Sequence, residues 1–281
     1  MSEPLRYAAF TDSPEGGNPA GVVLDATGMT DADMLAVAAE LGYSETAFAI
    51  ARGRNEYELR YFSPLAEVPF CGHATIAAAV ALAEREGDAT LLFHTRNGDV
   101  PVQTRAGTAT LTSVVPYVEP APEALVRGAL DALRWRADEL DPALPPRIGY
   151  AGVRHLILGA ATRARLADLD YDFDALQRIM LEHDLTTVDL VFRADPTTYH
   201  ARNPFPVGGV VEDPATGAAA AAFGAYLRHE GLIAPPATIT VHQGDDMGRP
   251  SVLEVEIGER PEIRVSGRAV SMTADRPPAR A

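Results

Sequence analysis

Residues 60–87, RYFSPLAEVPFCGHATIAAAVALAEREG, constrain the fold more than any other stretch of the chain. After a strand-like opening, Cys71 and Gly72 lead into a run that stays apolar until Glu84. A helix that is apolar on every side must be buried on every side. The stretch therefore predicts a central helix with other elements wrapped around it.

The start of this helix could also bind a ligand. Its first turn leaves backbone N–H groups unpaired and carries partial positive charge, which favours an anion. Gly72 lets the backbone approach a ligand closely, and His73 can donate hydrogen bonds or move protons. A buried helix with a tight glycine entry and a hydrogen-bonded core histidine explains the same residues without any site.

Composition excludes several classes of function. A net charge of −15 argues against nucleic acid and anionic membranes as partners, although a small anionic substrate can still bind a locally positive site. The chain has no lysine, so its 24 basic residues are all arginine. The missing lysine excludes Schiff-base chemistry, pyridoxal-phosphate enzymes and a P-loop.

The cysteine count and the N-terminus indicate a cytoplasmic protein. One cysteine among 281 residues excludes internal disulfides and any two-cysteine mechanism within one chain. The sequence shows neither a signal-peptide layout nor an apolar run suited to a membrane span.

Strand patterns surround single helices, which favours an α+β fold over a βαβ rhythm. Thr30 with Asp33 predicts the cap of a helix that stops at Gly42. Residues 116–122, PYVEPAP, predict a linker, and residues 273–281 predict a disordered tail. The predicted domains are therefore residues 1–117 and 118–272.

The second half of the chain repeats the first with a shift of 144 residues. This shift places Glu45 on Asp189 and His73 on Gly217, and both apolar helices follow a strand, a proline and an apolar approach. The repeat predicts two similar domains. If they face each other, two helix N-termini point into one cleft that suits a small carboxylic acid.

Two carboxylates are candidates for chemistry. Glu45 lies at the start of a strand, where it becomes a usable general base if it points into a dry cleft. A carboxylate on a solvated strand edge is common and explains Glu45 without any function. Asp213 precedes the second apolar helix, where it could cap the helix or contact substrate. Gly217 would offer a backbone donor.

The remaining reactive side chains give weaker indications. Cys71 is more often a packing residue, and its repeat partner, Ala215, is inert. The histidines have neither HxH nor HExxH spacing, so the sequence indicates no metal site.

Five motifs together resemble one known family, the PhzF family of phenazine-biosynthesis-like isomerases, over residues 5–272. In chain order they are GGNPAGVV, SETAF, FCGHAT, VVEDPATGAAAA and QGDDMGRPS. The resemblance implies a diaminopimelate-epimerase-like fold: two pseudo-symmetric domains, each a mostly antiparallel curled sheet or barrel around a central buried helix, with the site between them. It also implies a homodimer and no cofactor.

The resemblance also implies roles for individual residues. The founding activity of the family is the isomerisation of trans-2,3-dihydro-3-hydroxyanthranilate, and the match makes Glu45 the base that moves the proton. His73 and Asp213 would line the site and hold the substrate. The substrate-binding positions that follow from the matched motifs are Asn18, Gly72, Gly217 and Ala218.

The chain departs from the family pattern at Ala218, where the family usually has serine, and at residues 201–206, ARNPFP. Both departures bear on the substrate more than on the fold. We therefore expect a cofactor-free isomerase acting on a small carboxylic acid. The alternatives are a racemase or epimerase that uses Cys71, and a non-catalytic protein of the same fold that binds small acids.

Overall fold

The structure is a computed structural model that describes residues 3–272. The predicted tail at residues 273–281 lies outside the described residues. Six α-helices are present in the described part of the chain: α1 (Asp31–Leu41), α2 (Gly72–Glu86), α3 (Glu123–Leu133), α4 (Arg163–Ala167), α5 (Phe173–Glu182) and α6 (Gly217–His229).

Most of the chain between these helices forms β-strands. In chain order they are β1 (Leu5–Ala9), β2 (Asn18–Val23), β3 (Thr46–Gly53), β4 (Glu56–Phe62), β5 (Glu67–Val68), β6 (Thr90–Thr95), β7 (Gly98–Arg105), β8 (Thr108–Thr112), β9 (Tyr117–Pro120), β10 (Arg147–Tyr150), β11 (Arg154–Gly159), β12 (Thr187–Arg193), β13 (Thr198–Pro204), β14 (Glu212–Asp213), β15 (Ala237–Gln243), β16 (Ser251–Ile257) and β17 (Ile263–Ser271). The fold is a mixed α and β fold with few helices.

The described residues divide into two compact units, residues 3–112 with 266–272, and residues 113–265. In the first unit, eight strands pair in a closed ring in the order β1, β2, β3, β4, β6, β7, β8 and β17, which pairs again with β1. Two of these pairings, β2 with β3 and β4 with β6, are parallel. The pairings β1 with β2, β3 with β4, β6 with β7, β7 with β8 and β1 with β17 are antiparallel. A closed ring leaves no unpaired sheet edge.

Helix α2 lies against the strands of this ring and is its core. It contacts β1, β2, β3, β7 and β8, and every residue from His73 to Leu82 is buried. Its alanines favour the helix and let the surrounding strands approach closely. The prediction of a helix buried on all sides is confirmed.

The second unit has a corresponding row of strands around α6. Strands β9, β10, β11, β12, β13, β15 and β16 pair in that order, and α6 contacts β9, β10, β11 and β16. All but one of the α6 residues from Gly217 to Leu227 are buried, and Ala218 is half-buried. A sheet packed around a buried helix is thus present in this unit too.

Several local predictions are confirmed. The Thr30 hydroxyl accepts a hydrogen bond from the Asp33 N–H, and the Asp33 carboxylate accepts one from the Thr30 N–H. Gly42 caps the end of the helix with φ of 69°. This reciprocal capping fixes the start of α1, and the left-handed glycine fixes its end.

One local prediction is wrong. The linker predicted at 116–122 contains strand β9, because its backbone pairs with β10 in spite of the flanking prolines. Two further strands begin next to turn-forming residues: β2 begins at Asn18, directly after Gly16 and Gly17, and β10 begins at Arg147, directly after two prolines. Pairing with β1 and β11 holds these strands in place.

The predicted domain boundary between residues 117 and 118 stays a prediction. The observed units follow contacts in space, and the end of β17 belongs to the first unit because it pairs with β1. The 144-residue repeat also stays a prediction. Within residues 3–272, the helices are all too short or too polar to cross a bilayer.

Candidate active site

The carboxylate of Glu45 is placed by the short connection between α1 and β3. Gly42 ends the helix in the left-handed conformation, and the Glu45 carbonyl accepts a hydrogen bond from the Gly21 N–H at 3.2 Å, next to the start of β3. The Glu45 side chain is only 16% exposed. Backbone bonding on both sides of this connection thus holds the carboxylate at the edge of the first unit's core.

The start of α2 brings an imidazole and a thiol to the same point. Cys71 is the N-cap, with extended backbone (φ −145°) and no capping hydrogen bond from its side chain, and His73 is in the first turn. The Glu45 Oε2 atom lies 3.3 Å from His73 Nε2, and the Cys71 Sγ atom lies 3.5 Å from the same Oε2. Three side chains that can move protons therefore meet at one oxygen atom.

Two further residues surround the imidazole of His73. The Asn18 Nδ2 atom lies 3.1 Å from His73 Nδ1, and the Ser44 Oγ atom lies 3.5 Å from His73 Nε2. Asn18 is 2% exposed and His73 is 6% exposed. Both ring nitrogens have polar neighbours, so the ring orientation is constrained from two sides.

Burial controls the electrostatics of this group. Desolvation raises the pKa of Glu45 above its usual value, while hydrogen bonds from Ser44 and Cys71 oppose the rise. The unpaired N–H groups at the start of α2 favour negative charge at this end of the helix. A carboxylate with a raised pKa binds a proton more readily than an exposed one, as a general base requires.

Within residues 3–272, the distances between side chains would allow a metal ion to bind at Glu45, Cys71 and His73. Their ligand atoms all lie within 4.8 Å of one another. The directions of these side chains, however, do not suit shared coordination of one ion. The Cys71 sulfur lies 3.4 Å from Nδ1 and 3.7 Å from Nε2 of His73. Because the lone pairs of the two ring nitrogens point away from each other, a sulfur almost equidistant from both lies along neither.

The second unit holds the other predicted carboxylate at the start of α6. Thr216 is the N-cap residue, and its hydroxyl donates to the Asp213 Oδ2 atom at 2.6 Å instead of capping the helix. The buried Gln243 side chain accepts from the Thr216 N–H at 3.0 Å and donates to the Asp213 carbonyl at 2.7 Å. Gln243 therefore ties the segment before α6 to strand β15.

The predicted substrate-binding positions of this unit follow Asp213 in the chain. Gly217 opens α6, and Ala218 follows it in the first turn. Asp213, Thr216 and Ala218 are each half-buried, whereas Gly217 is buried. Ala218 has a methyl group, and therefore no hydroxyl, at the position where the resemblance expects serine.

In the first unit, the structure brings Glu45 and Asn18 to His73, and Gly72 is the first residue of α2. In the second unit, the predicted residues lie at or just before the start of α6: Asp213, Gly217 and Ala218. The catalytic and binding roles assigned to these residues stay predictions. The sequence favours a packing role for Cys71 and carries no separate functional signal at Gln243. Their contacts join residues far apart in sequence, which spacing alone does not show.

Known protein structures define the fold class. A hydroxyproline epimerase from Agrobacterium vitis is 14% identical with a TM-score of 0.63, covering 95% of this chain and 90% of that chain. A probable proline racemase from Agrobacterium radiobacter K84 is 15% identical with a TM-score of 0.62, at the same coverage. The chain therefore has a proline racemase-like fold.

The sequence comparisons identify the family within this fold class. The family described as phenazine biosynthesis-like protein matches residues 7–275. A predicted epimerase from Pseudomonas aeruginosa is 28% identical with a TM-score of 0.86, covering 96% of this chain and 97% of that chain. The chain therefore belongs to the phenazine biosynthesis-like (PhzF) family and is an isomerase of the PhzF type.

Curated relatives cover nearly the whole chain. The uncharacterized isomerase YfhB of Bacillus subtilis is 31% identical over 285 residues, 96% of each chain. The trans-2,3-dihydro-3-hydroxyanthranilate isomerase of Pseudomonas chlororaphis is 29% identical over 268 residues, 94% of each chain.

Proposed function

We propose that this isomerase moves a proton from one carbon to another on a small carboxylic acid, with Glu45 as the general base and without a cofactor. The observation that carries the proposal is the Glu45 carboxylate itself, 16% exposed, with His73 Nε2 and Cys71 Sγ at 3.3 and 3.5 Å. Desolvation raises its pKa, which suits a base that works near neutral pH.

The proposed reaction needs one base and a source of positive potential. Glu45 removes a proton from carbon, the electron pair shifts through the substrate's conjugated system, and the protonated Glu45 returns the proton to a different carbon. The developing negative charge is stabilised by a hydrogen bond from His73 and by the N–H groups at the start of α2, where Gly72 leaves the backbone open to the ligand.

The proposed substrate class is a small acid that resembles trans-2,3-dihydro-3-hydroxyanthranilate, which is named for relatives 29% identical to this chain. In the second unit, we propose that Asp213 contacts the substrate's polar group and that the N–H groups at Gly217 and Ala218 bind an anionic group. Thr216 and Gln243 hold Asp213 and the helix start for this role. Because Ala218 has no hydroxyl, the substrate of this chain need not be the relatives' substrate.

The proposal includes the sequence-based expectations of a homodimer and a cytoplasmic location. It also includes the expected partner, a small anionic molecule, with no nucleic acid or membrane involved. The chain's net charge of −15 supports this exclusion of polyanionic partners.

Deuterium exchange tests the role of Glu45. The Glu45→Gln variant keeps the side-chain shape and removes the base, so we expect carbon-bound deuterium uptake from D2O to fall about 10²- to 10⁴-fold. The assay uses trans-2,3-dihydro-3-hydroxyanthranilate and a panel of small carboxylic acids, with mass spectrometry as the readout. Glu40→Gln, on the exposed surface of α1, is the matched control and should exchange at the wild-type rate. Near-normal exchange in Glu45→Gln would remove Glu45 as the base.

A second candidate mechanism uses Cys71 as an acid or base in a racemase or epimerase. The contacts of its sulfur with Glu45 Oε2 and His73 Nδ1, at 3.5 and 3.4 Å, favour it. Cys71→Ser separates the mechanisms, because a serine hydroxyl donates a hydrogen bond but is a far weaker acid than a thiol. Full activity of Cys71→Ser would exclude the cysteine mechanism.

A further inference from the structure

We infer that Asn18 is a positioning residue that sets the tautomer of His73, so that the imidazole is neutral and directs its Nε2–H toward Glu45. The catalytic consequence of this assignment rests on the proposed function, whereas the tautomer itself does not. The sequence motif places Asn18 among the substrate-binding residues, and the structure gives its side-chain amide a partner within the protein.

The backbone that carries Asn18 is rigidly placed. Asn18 is the first residue of β2 and pairs with Ala9 of β1. Gly17 before it has φ of 64°, and a Cβ atom there would lie 2.3 Å from the Ala9 carbonyl oxygen. The tight turn therefore delivers the Asn18 amide to one position beneath the start of α2, where it is 2% exposed.

The direction of the Asn18–His73 hydrogen bond determines where the ring proton is. The Asn18 Nδ2 atom carries only donors and lies 3.1 Å from His73 Nδ1. Nδ1 must therefore accept. A neutral imidazole has one N–H, so the proton is on Nε2.

The opposite side of the ring favours the same tautomer. His73 Nε2 lies 3.3 Å from Glu45 Oε2, and an ionised carboxylate only accepts hydrogen bonds. A proton on Nε2 faces this oxygen and compensates its negative charge. The other tautomer would set the Nε2 lone pair against the carboxylate and leave two acceptors facing each other in a poorly solvated site. Asn18 and Glu45 thus both favour the proton on Nε2, whereas the Ser44 hydroxyl and the Cys71 thiol near the ring can each donate or accept.

This tautomer gives the two catalytic candidates separate roles. His73 presents a donor and no base toward the reacting centre, so of these two residues Glu45 is the one that can take a proton from carbon. When substrate is bound, the same Nε2–H can transfer its hydrogen bond to developing negative charge. Asn18 acts on the reaction through His73, without contacting the reacting atoms.

Nitrogen-15 NMR of the imidazoles tests the assignment directly. Long-range ¹H–¹⁵N spectra distinguish protonated from unprotonated ring nitrogens, and His73→Gln identifies the His73 signals by their loss. In the wild-type protein at pH 7.5 we expect an unprotonated Nδ1 and a protonated Nε2. A protonated Nδ1 in the wild type would overturn the inference, and this measurement needs no variant of Asn18 to fold.

Asn18→Asp reverses the direction of the hydrogen bond with nearly the same side-chain shape. An aspartate only accepts, so Nδ1 of His73 should become protonated in this variant. Asn97→Asp, in the exposed turn between β6 and β7, adds the same charge and should leave the His73 spectrum unchanged. An unprotonated Nδ1 in a folded Asn18→Asp protein would contradict the inference.

Activity measurements separate this inference from the proposed function. If Glu45 is the base, Asn18→Asp should lower kcat by about tenfold or more with a smaller change in KM, because the substrate is bound but the donor is altered. If Glu45→Gln exchanges normally while the His73 tautomer is as expected, the proposed function fails and the Asn18 assignment stands. If the tautomer is reversed while Glu45→Gln is inactive, only the Asn18 assignment fails.

Discussion

The Cys71 sulfur lies 3.5 Å from the Glu45 Oε2 atom and is the donor in that contact. The thiol therefore stabilises the ionised form of the carboxylate, in opposition to the desolvation that raises its pKa. The chain's one cysteine thus belongs to the immediate surroundings of the proposed base, although the sequence favours a packing role for it.

Removing this thiol should change the pH dependence of the reaction. The base works when it is ionised, so activity falls as the pH drops through the pKa of Glu45. In Cys71→Ala the pKa of Glu45 rises further, because a hydrogen bond worth about 1 kcal/mol to the carboxylate is lost. We expect the acid limb of the kcat/KM profile to move up by about 0.5 to 1 pH unit.

Cys71→Ser is the control for this shift, since its hydroxyl can still donate to Glu45. Its acid limb should stay close to that of the wild type. If Cys71→Ala instead loses activity equally at every pH, the thiol takes part in the chemistry and the hydrogen-bond account is wrong.

Gly17→Ala should destabilise the protein and impair the site, because the added Cβ meets the Ala9 carbonyl oxygen at 2.3 Å in a backbone with φ of 64°. Gly28 also has a left-handed backbone, with φ of 81°, but a Cβ atom there would have no neighbour within 4 Å. Gly28→Ala therefore measures the loss of stability due to the left-handed backbone alone. We expect about 1 kcal/mol for Gly28→Ala and about 1–3 kcal/mol more for Gly17→Ala. Urea unfolding measures both, and equal losses would show that the turn relaxes around the methyl group.

The sequence predicts the elements whose signals are local. The central helix follows from an uninterrupted apolar run, and α1 follows from the Thr30–Asp33 cap and Gly42, so both are predicted from neighbouring residues. Strand β9 and the start of β2 depend on pairing with distant strands, and their prolines and glycines hide that pairing.

The candidate site was predictable in the same uneven way. Glu45 and His73 stand out through the motifs that contain them, and the structure sets them 3.3 Å apart. The contacts of Asn18 and Cys71 depend on the curvature of the closed ring and on the direction of side chains at the start of α2. Neither is encoded in residue spacing.

The buried ion pair between Arg202 and Glu212 should be the costliest of the charged pairs to break. Arg202 is 8% exposed and Glu212 is 6% exposed, and they form two hydrogen bonds, at 2.9 and 2.5 Å. Glu212 precedes Asp213 in β14, so the pair anchors the strand that carries this candidate residue. Arg202→Met leaves a buried carboxylate unpaired, and we expect a loss of about 3–5 kcal/mol in unfolding free energy.

The exposed pair of Arg52 with Glu58 is the comparison. Arg52→Met should cost at most about 1 kcal/mol, because solvent screens the pair. Both variants are measured by urea unfolding. Similar losses for the two would show that Glu212 finds another partner or solvent when Arg202 is removed.

A buried chain of side chains in the second unit should give the stability two opposing pH dependences. His155 Nδ1 lies 2.7 Å from Thr187 Oγ1, Thr187 donates to Asn203 Oδ1 at 2.7 Å, and Asn203 Nδ2 donates to Asp189 at 3.0 Å. Burial lowers the pKa of His155 from 6.5 to about 3. Burial raises the pKa of Asp189 from 3.8 to about 7, and the bond from Asn203 opposes the rise.

The two residues bind protons differently on folding, which fixes the sign of each effect. Between pH 4 and 6.5, His155 holds fewer protons when folded, so its contribution to stability rises with pH. Asp189 holds more protons when folded, so its contribution is full near pH 4 and is lost as the pH rises through about 7. In the wild type the two slopes oppose each other.

Variants at each end separate these slopes. Relative to the wild type, Asp189→Asn should gain stability as the pH rises from 4 to 7, because the variant no longer ionises a buried carboxyl. His155→Gln should lose stability relative to the wild type over pH 4 to 6.5, because the rising histidine contribution is gone. Each difference has a slope of at most about 1.4 kcal/mol per pH unit.

Urea unfolding at half-unit pH steps measures both differences, with Asp12→Asn on the exposed surface as the control. Parallel curves for Asp189→Asn and the wild type would mean that the Asp189 carboxyl titrates alike in the folded and unfolded chain.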